Sequence, residues 1–354
     1  GTRTSIISGN LVAGSGSILF GLSTGFEMAC TGRFLVGLGV SVVFIAIMKN
    51  NSVWFHERVF GILSGLTLFF GNLGAIMAAG PLAQVLTVFH WRTVFIGIGV
   101  LSLCLALAGF FLVRNKPQDM GFTPPNVYAG KFQAMSNNWL TNLRSVVMTL
   151  RVWPGFWVQF GMIGSSYTFM GLWGMPYLRD IHNLSRSFAA NYMTIQLLSF
   201  ALGALFWGWI SDKIGRRKPF LISAAAAYVL SWTMLMYLPW TPGITGFAIF
   251  AFMGFSASGF VITFAAAKEI VHPQLSGMGV SVVNTGCFIG TALAQPLFGY
   301  IADLTWDGSI ANDVRIYSPA DYQNGLIAMM LLSILALVAA FRVSETYCRN
   351  SFEG

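Results

Sequence analysis

The 354 residues carry a formal net charge of +8, are 55% hydrophobic and only 9% charged. Soluble domains carry about 25% charged residues, and so little polar cover cannot make a water-facing surface. That excludes a soluble multidomain protein. It also excludes a nucleic-acid binder, because the basic residues fall in short gaps between apolar runs rather than in one patch. A helix needs roughly 20 apolar residues to cross a bilayer. Ten such runs occur, over about 5–24, 27–48, 59–81, 92–113, 154–178, 188–210, 219–238, 244–267, 276–301 and 323–342. Their Gly, Ser and Ala content suits close helix packing in lipid. An all-α membrane protein follows.

Two longer hydrophilic gaps break the series. The first, 114–151, holds Pro117, Gly121, Pro124 and Pro125. Its second part spaces Trp139-Leu140, Leu143, Val146-Val147 and Leu150 along one helical face, with Arg144 and Arg151 opposite. This segment is expected to lie on the membrane surface. It splits the chain into a bundle over 1–113, a linker over 114–151 and a bundle over 152–354. The second gap, 302–322, sets Asp303, Asp307, Asp313 and Asp321 against one Arg315.

Orientation is read from the basic residues. With Arg3 placed in the cytoplasm, that side collects Arg3, Lys49, Arg58, Arg114, Lys116, Lys131, Arg144, Arg151, Lys213, Arg216, Arg217, Lys218, Lys268, Arg342 and Arg349. The other side collects only Arg92, Arg179, Arg186 and Arg315. So strong a bias predicts that both ends of the chain lie inside. The four cysteines and four histidines share no ligand spacing, so neither a disulfide framework nor a metal or other cofactor is expected.

The chain also repeats itself. Gly61-Ile62-Leu63-Ser64-Gly65 matches Gly277-Met278-Gly279-Val280-Ser281, with His56 matching His272 and Gly74 matching Gly290, all at an offset of 216. Gly1-Thr2-Arg3 matches Gly215-Arg216-Arg217 at an offset of 214. The matches suggest two homologous halves. Four runs precede the linker and six follow it, so the ten runs read as part of a twelve-helix pattern without its first two helices.

Several of these motifs resemble the major facilitator superfamily. Gly208-Trp209-Ile210-Ser211-Asp212-Lys213-Ile214-Gly215-Arg216-Arg217-Lys218 is similar to its signature loop between helices 8 and 9, and Gly1-Thr2-Arg3 to the tail of the equivalent loop between helices 2 and 3. Arg33-Phe34-Leu35-Val36-Gly37-Leu38-Gly39 resembles the helix-4 motif, with Val36 where Gln is usual. Trp54-Phe55…Glu57-Arg58, Trp91-Arg92…Phe95, Lys116-Pro117-Gln118-Asp119-Met120-Gly121 and Leu172-Trp173-Gly174-Met175-Pro176-Tyr177-Leu178 are similar to organic-anion symporter branches of that family. Gly74…Gly80-Pro81 resembles an antiporter Gly-Pro motif less closely, and Pro81 reads more simply as a helix stop.

The residues of the signature loop also have a physical reading of their own. Gly208 lets another helix approach, Asp212 is an anion suited to a helix N-terminus, and Gly215 permits a tight turn. Anchoring in headgroups explains Arg216, Arg217 and Lys218, but not Gly208 and Asp212 at this spacing. The resemblance implies that the loop latches the two halves, with its partner at the start of the 59–81 run and Glu57 available to Arg216 or Arg217. Arg33 is a charge inside a spanning run, where function is the default expectation. It fits attraction of an anionic substrate, tuning of a proton-carrying carboxylate, or a structural hydrogen bond. By the same resemblance the candidate cavity residues are Gln159, Ser166, Tyr167 and Trp173 on helix 7, Asn284 and Thr291 on helix 11, Asn72 on helix 5 and Gln196 on helix 8. For each of them a helix-packing hydrogen bond is the competing role.

The fold expected is a two-bundle, major-facilitator-type helical protein working by alternating access. The function expected is secondary active transport of a small organic anion or amino-acid-like solute, coupled to protons, by a monomer in a bacterial inner membrane. The alternatives are a drug/proton efflux antiporter and a non-transporting sensor on the same fold. No nucleophile–base or metal constellation suggests an enzyme.

Overall fold

The computed structural model describes residues 1–79, 85, 88–123, 138–311, 314–315 and 317–352. The expected helix stop at Pro81 and the Pro124-Pro125 part of the linker lie outside these residues. The described residues are helical apart from short connections and one two-stranded hairpin, β1 (Ile310–Ala311) and β2 (Val314–Arg315), which pairs Ile310 with Arg315. Contacts divide the chain into two units. One holds Gly1–Glu57 and Gly74–Phe132, the other Arg58–Leu73 and Gln133–Gly354.

The first unit is built on α1 (Thr2–Gly21), α2 (Phe26–Trp54) and the far end of α3 (Phe60–Ala79), followed by α4 (Trp91–Leu112). Small residues set the spacing of α1 against its neighbours. A Cβ on Gly16 would sit 2.8 Å from the Gly32 carbonyl oxygen, and one on Gly14 would sit 2.9 Å from that of Gly99. This is how helices associate in lipid, where burial of apolar surface drives little and backbone approach does more. At one end Asn115 ties the unit together, accepting from the Arg3 backbone N–H at 3.0 Å, while Trp54 Nε1 donates to the Arg114 carbonyl at 3.2 Å.

The second unit begins with the surface segment. Helix α5 (Trp139–Met148) is amphipathic: Val146 is buried among Val152, Ile270, Leu275 and Val283, while Trp139, Leu140 and Met148 are exposed. The chain then bends by 66° into the next helix, a corner held by Trp153 Nε1 donating to the Val147 carbonyl at 2.9 Å. Helix α6 (Trp153–Thr168) passes through a π-helical turn, Phe169–Trp173, into α7 (Gly174–Asp180). There follow α8 (Arg186–Ile214), α9 (Lys218–Tyr237), α10 (Ile244–Ala257) with its continuation α11 (Ile262–Glu269), α12 (Ser276–Asp303) and α13 (Pro319–Arg342). Glycines again mark the closest crossings, with Gly164 facing the Gly290 backbone between α6 and α12.

Helices lie over each of the ten apolar runs. Among the described residues, eight are long and apolar enough to cross a membrane, or nine if the bent α5–α7 segment counts as one span. The expected ten is therefore not reached by length and composition. Helix α1 has 20 residues, but Thr2, Arg3, Thr4, Ser8, Asn10 and its glycines dilute its apolar content. Helix α6 alone has only 16 residues.

Candidate functional site

The signature loop forms around the end of α8. Gly215 takes a left-handed φ of 75° as the C-cap, and its N–H and that of Arg216 both return to the Ser211 carbonyl, at 3.0 and 3.2 Å. A side chain at Gly215 would be strained in this conformation. One turn earlier, Asp212 Oδ2 accepts from the Ile62 backbone N–H at 2.7 Å. Ile62 lies in the first turn of α3, where N–H groups lack helical partners and the helix dipole favours an anion. The approach requires glycine on both sides. A Cβ on Gly61 would meet Asp212 Oδ1 at 2.6 Å, and one on Gly208 would collide with the Gly61 carbonyl oxygen. Gly208 and Asp212 thus lie against the start of α3, and Gly215 ends α8.

Arg217 closes the site. It is fully buried. One guanidinium nitrogen donates to Asp212 Oδ1 at 2.5 Å and Ser211 Oγ at 3.0 Å. The rest of the fork grips both oxygens of the fully buried Glu269, at 2.7 and 3.3 Å. Thr346 Oγ1 also donates to Glu269 Oε2. Glu345 caps α9, accepting from the backbone N–H groups of Arg217 at 2.9 Å and Lys218 at 3.1 Å. Burial opposes the Arg217 charge, but Glu269 and Asp212 outweigh it and hold the guanidinium pKa above its usual value. The expectation that Glu57 would serve Arg216 or Arg217 did not anticipate this network. Arg217 is engaged by Asp212 and Glu269, and Arg216 lies over the Tyr347 ring at 5.9 Å. Glu269, Glu345 and Thr346 are the residues that sequence reasoning passed over. The available signal was an acid at the end of a run on the strongly basic side.

The polar interior of the second unit divides into satisfied and unsatisfied groups. Gln159 is fully buried; its Nε2 donates to Thr263 Oγ1 at 2.9 Å, while its Oε1 has no hydrogen-bond partner. Gln196 is also fully buried, and neither end of its amide is bonded. Buried unpaired amides are costly and uncommon, which sets these two apart from the other polar residues of the interior. Ser166 is buried beside Met170, and the half-buried Tyr167 ring lies 6.2 Å from that of Phe200. Thr291 returns its hydroxyl to the Cys287 carbonyl at 2.8 Å, as Asn72 does its amide to Leu68 at 2.8 Å. Both therefore bond within their own helices. Asn284 is half-buried on α12. Trp173 ends the π-helical turn, stacks on Phe298 at 4.5 Å and donates to the Gln295 carbonyl at 3.2 Å, which pins the turn to the later part of α12.

In the first unit Arg33 is exposed on α2. Its guanidinium lies over two rings, Phe20 at 4.2 Å and Phe95 at 4.6 Å, contacts of the cation–π kind.

Comparison with known proteins gives a consistent picture. The family model described as Major Facilitator Superfamily matches residues 1–175 and 155–347. The sialic acid transporter NanX of Escherichia coli K12 is 24% identical over 292 residues, covering 80% of this chain and 68% of that protein. The probable sulfoacetate transporter SauU of Cupriavidus necator is 22% identical, covering 86% and 73%. The membrane sensor protein UhpC of Salmonella typhimurium is 23% identical, covering 86% and 71%. Among solved structures, the Escherichia coli fucose:proton symporter FucP superposes with a TM-score of 0.70 at 16% identity, covering 97% of this chain and 84% of that one. These likenesses support solute transport and not enzymatic chemistry.

Proposed function

The chain belongs to the major facilitator superfamily, and we propose that it carries a small organic anion across the membrane by alternating access, coupled to protons. The observation that carries this reading is Arg33. It stands seven residues into α2, about 10 Å along the helix axis. An exposed arginine at that depth is costly against lipid, so a water-filled path is the environment that suits it. Its Phe20 and Phe95 contacts orient the guanidinium without neutralising it, which leaves the charge for a carboxylate or sulfonate. Two relatives are named for such acids, sialic acid and sulfoacetate. The basic residues favour both ends of this chain in the cytoplasm, and the bacterial relatives favour a bacterial inner membrane. Gln159 and Gln196 are proposed to face the solute from the second unit.

The test is uptake into proteoliposomes of sialic acid, sulfoacetate, a neutral sugar and a cationic dye, with and without an inward proton gradient. Uptake of an acid is expected, raised by the gradient and lowered tenfold or more by Arg33→Gln, with partial recovery in Arg33→Lys. Preference for the neutral or cationic solute would overturn the reading. The likeness to a membrane sensor favours a second reading, in which the acid binds with the same dependence on Arg33 but no uptake occurs.

A further inference from the structure

A cavity of about 520 Å³ opens beside the signature loop, within the second unit. That is a ligand-sized volume, since small-molecule pockets run from about 300 to 1,000 Å³. Arg58, Lys213 and Arg349 line it, with Asp212 and Tyr347. The acids around it are already committed. Asp212 serves Ile62 and Arg217, Glu269 serves Arg217 and Thr346, and Glu345 caps α9. Against these three carboxylates stand Lys213, Arg216, Arg217, Lys218 and Arg349 in the same short stretches of chain, an excess of two positive charges. Two of the cations rest on aromatic faces: Lys213 Nζ lies 4.6 Å from the Trp209 ring centroid, and Arg216 lies over Tyr347. Such contacts hold a cation in place and keep its charge.

The wall opposite the loop is a firmly held turn. Tyr347 and Cys348 both take left-handed backbone conformations, with φ of 51° and 54°, which non-glycine residues rarely adopt in succession. The neighbouring chain enforces it: the Ser351 N–H donates to the Glu269 carbonyl at 2.7 Å, the Asn350 amide to the Val271 carbonyl at 3.0 Å, and Thr346 and Cys348 are buried. The turn places Tyr347 and Arg349 on the cavity, with the largely buried Thr346 and Cys348 also part of its wall.

From this geometry we propose that the cavity, which Arg58 also lines, binds a phosphate-bearing anion held by Lys213 and Arg349. A group with several charged oxygens suits convergent arginine and lysine donors better than a single carboxylate does. The phosphate can come from a soluble polyphosphate compound or from an anionic phospholipid headgroup, because the cavity lies at the end of the spanning helix α8. Bound there, it would bridge the start of α3 to the loop and the terminal segment, and so reinforce the Asp212–Ile62 contact.

The full chain, purified in neutral detergent, is titrated with inorganic tripolyphosphate while tryptophan fluorescence and thermal stability are followed. In parallel it is placed in nanodiscs of phosphatidylcholine with or without phosphatidylglycerol. Saturable binding or stabilisation is expected in at least one arm, weakened tenfold or more in Lys213→Gln/Arg349→Gln. The control Arg3→Gln/Arg144→Gln removes as much charge elsewhere and should bind like the parent. Response to tripolyphosphate alone assigns a soluble ligand, and response to phosphatidylglycerol alone assigns a headgroup; either supports the site. Lys213→Arg should retain binding, which keeps the test valid if the double variant folds poorly. No response in either arm, or equal loss in the control pair, would overturn the proposal.

Discussion

At the scale of single residues the molecule draws a sharp contrast between two ion pairs. Arg217 and Glu269 are both fully buried and joined at 2.7 Å, whereas Arg315 and Asp303 meet at 2.6 Å with side chains 52% and 37% exposed. The distances are similar, but the surroundings are not. Water screens the second pair, and exposed pairs contribute about 0–1 kcal/mol. The first has been taken out of water, so removing one partner strands a charge and costs about 3–5 kcal/mol. Glu269→Ala is therefore expected to lower resistance to unfolding in detergent far more than Asp303→Ala does. Its loss should be recovered only in part when Arg217 is also replaced by Met, because Asp212 then loses its cation partner. Equal, small losses in both single variants would mean that Asp212 alone is enough to hold Arg217. The network also shows where sequence reading stops. Asp212 and Arg217 stand five positions apart, and their chemistry is readable as one turn. Glu269 and Glu345 lie 52 and 128 positions from Arg217, and nothing in local spacing points across such a distance.

Among the helices, approach is governed by residues that have no side chain to keep neighbours apart. Gly208 on α8 faces the Gly61 backbone on α3 so closely that a Cβ would overlap its carbonyl oxygen. Gly208→Ala must therefore push α3 away, which costs about 1–3 kcal/mol by overpacking and lengthens the Asp212–Ile62 bond. A thermal midpoint lower than that of a Gly71→Ala control is the expected result, since a Cβ at Gly71 meets nothing within 4 Å. Equal midpoints would show that the crossing can relax. The positions of Gly208 and Gly215 were legible in the sequence because a close crossing and a left-handed turn each demand glycine. The polar stripes were less legible. Thr291 and Asn72 sit at helical spacings that suit a cavity, yet each bonds to the carbonyl four residues earlier on its own helix. Gln196 has the same residue-type signal with the opposite outcome, an amide left unbonded. Spacing gives the face of a helix, but only the packed neighbours decide whether a polar group on it is already satisfied.

For the molecule as a whole, α3 is the helix that runs from one unit into the other. Its first part belongs to the second unit through Leu73, and the remainder belongs to the first. The Asp212 carboxylate grips the N-terminus of this helix, so it acts on the element that continues from one unit into the other. A hydrogen bond to a charged group is worth about 1.5–3 kcal/mol. If the proposed alternation makes and breaks this bond, that is enough to shift the ratio of the two states by roughly ten- to a hundredfold. Asp212→Asn keeps the shape of the side chain and one oxygen acceptor, but removes the charge that faces both the helix dipole and Arg217. Spin labels on α3 at Thr67 and on α8 at Leu205 would report the separation of the two helices. The variant is expected to populate a longer distance than the parent, and Asp212→Glu to populate it less. If the proposed transport requires the bond both to form and to release, uptake should change in the same order. If the distance distributions coincide while stability falls, the carboxylate is a helix cap and nothing more, and the switching role passes to whatever contact then separates the states.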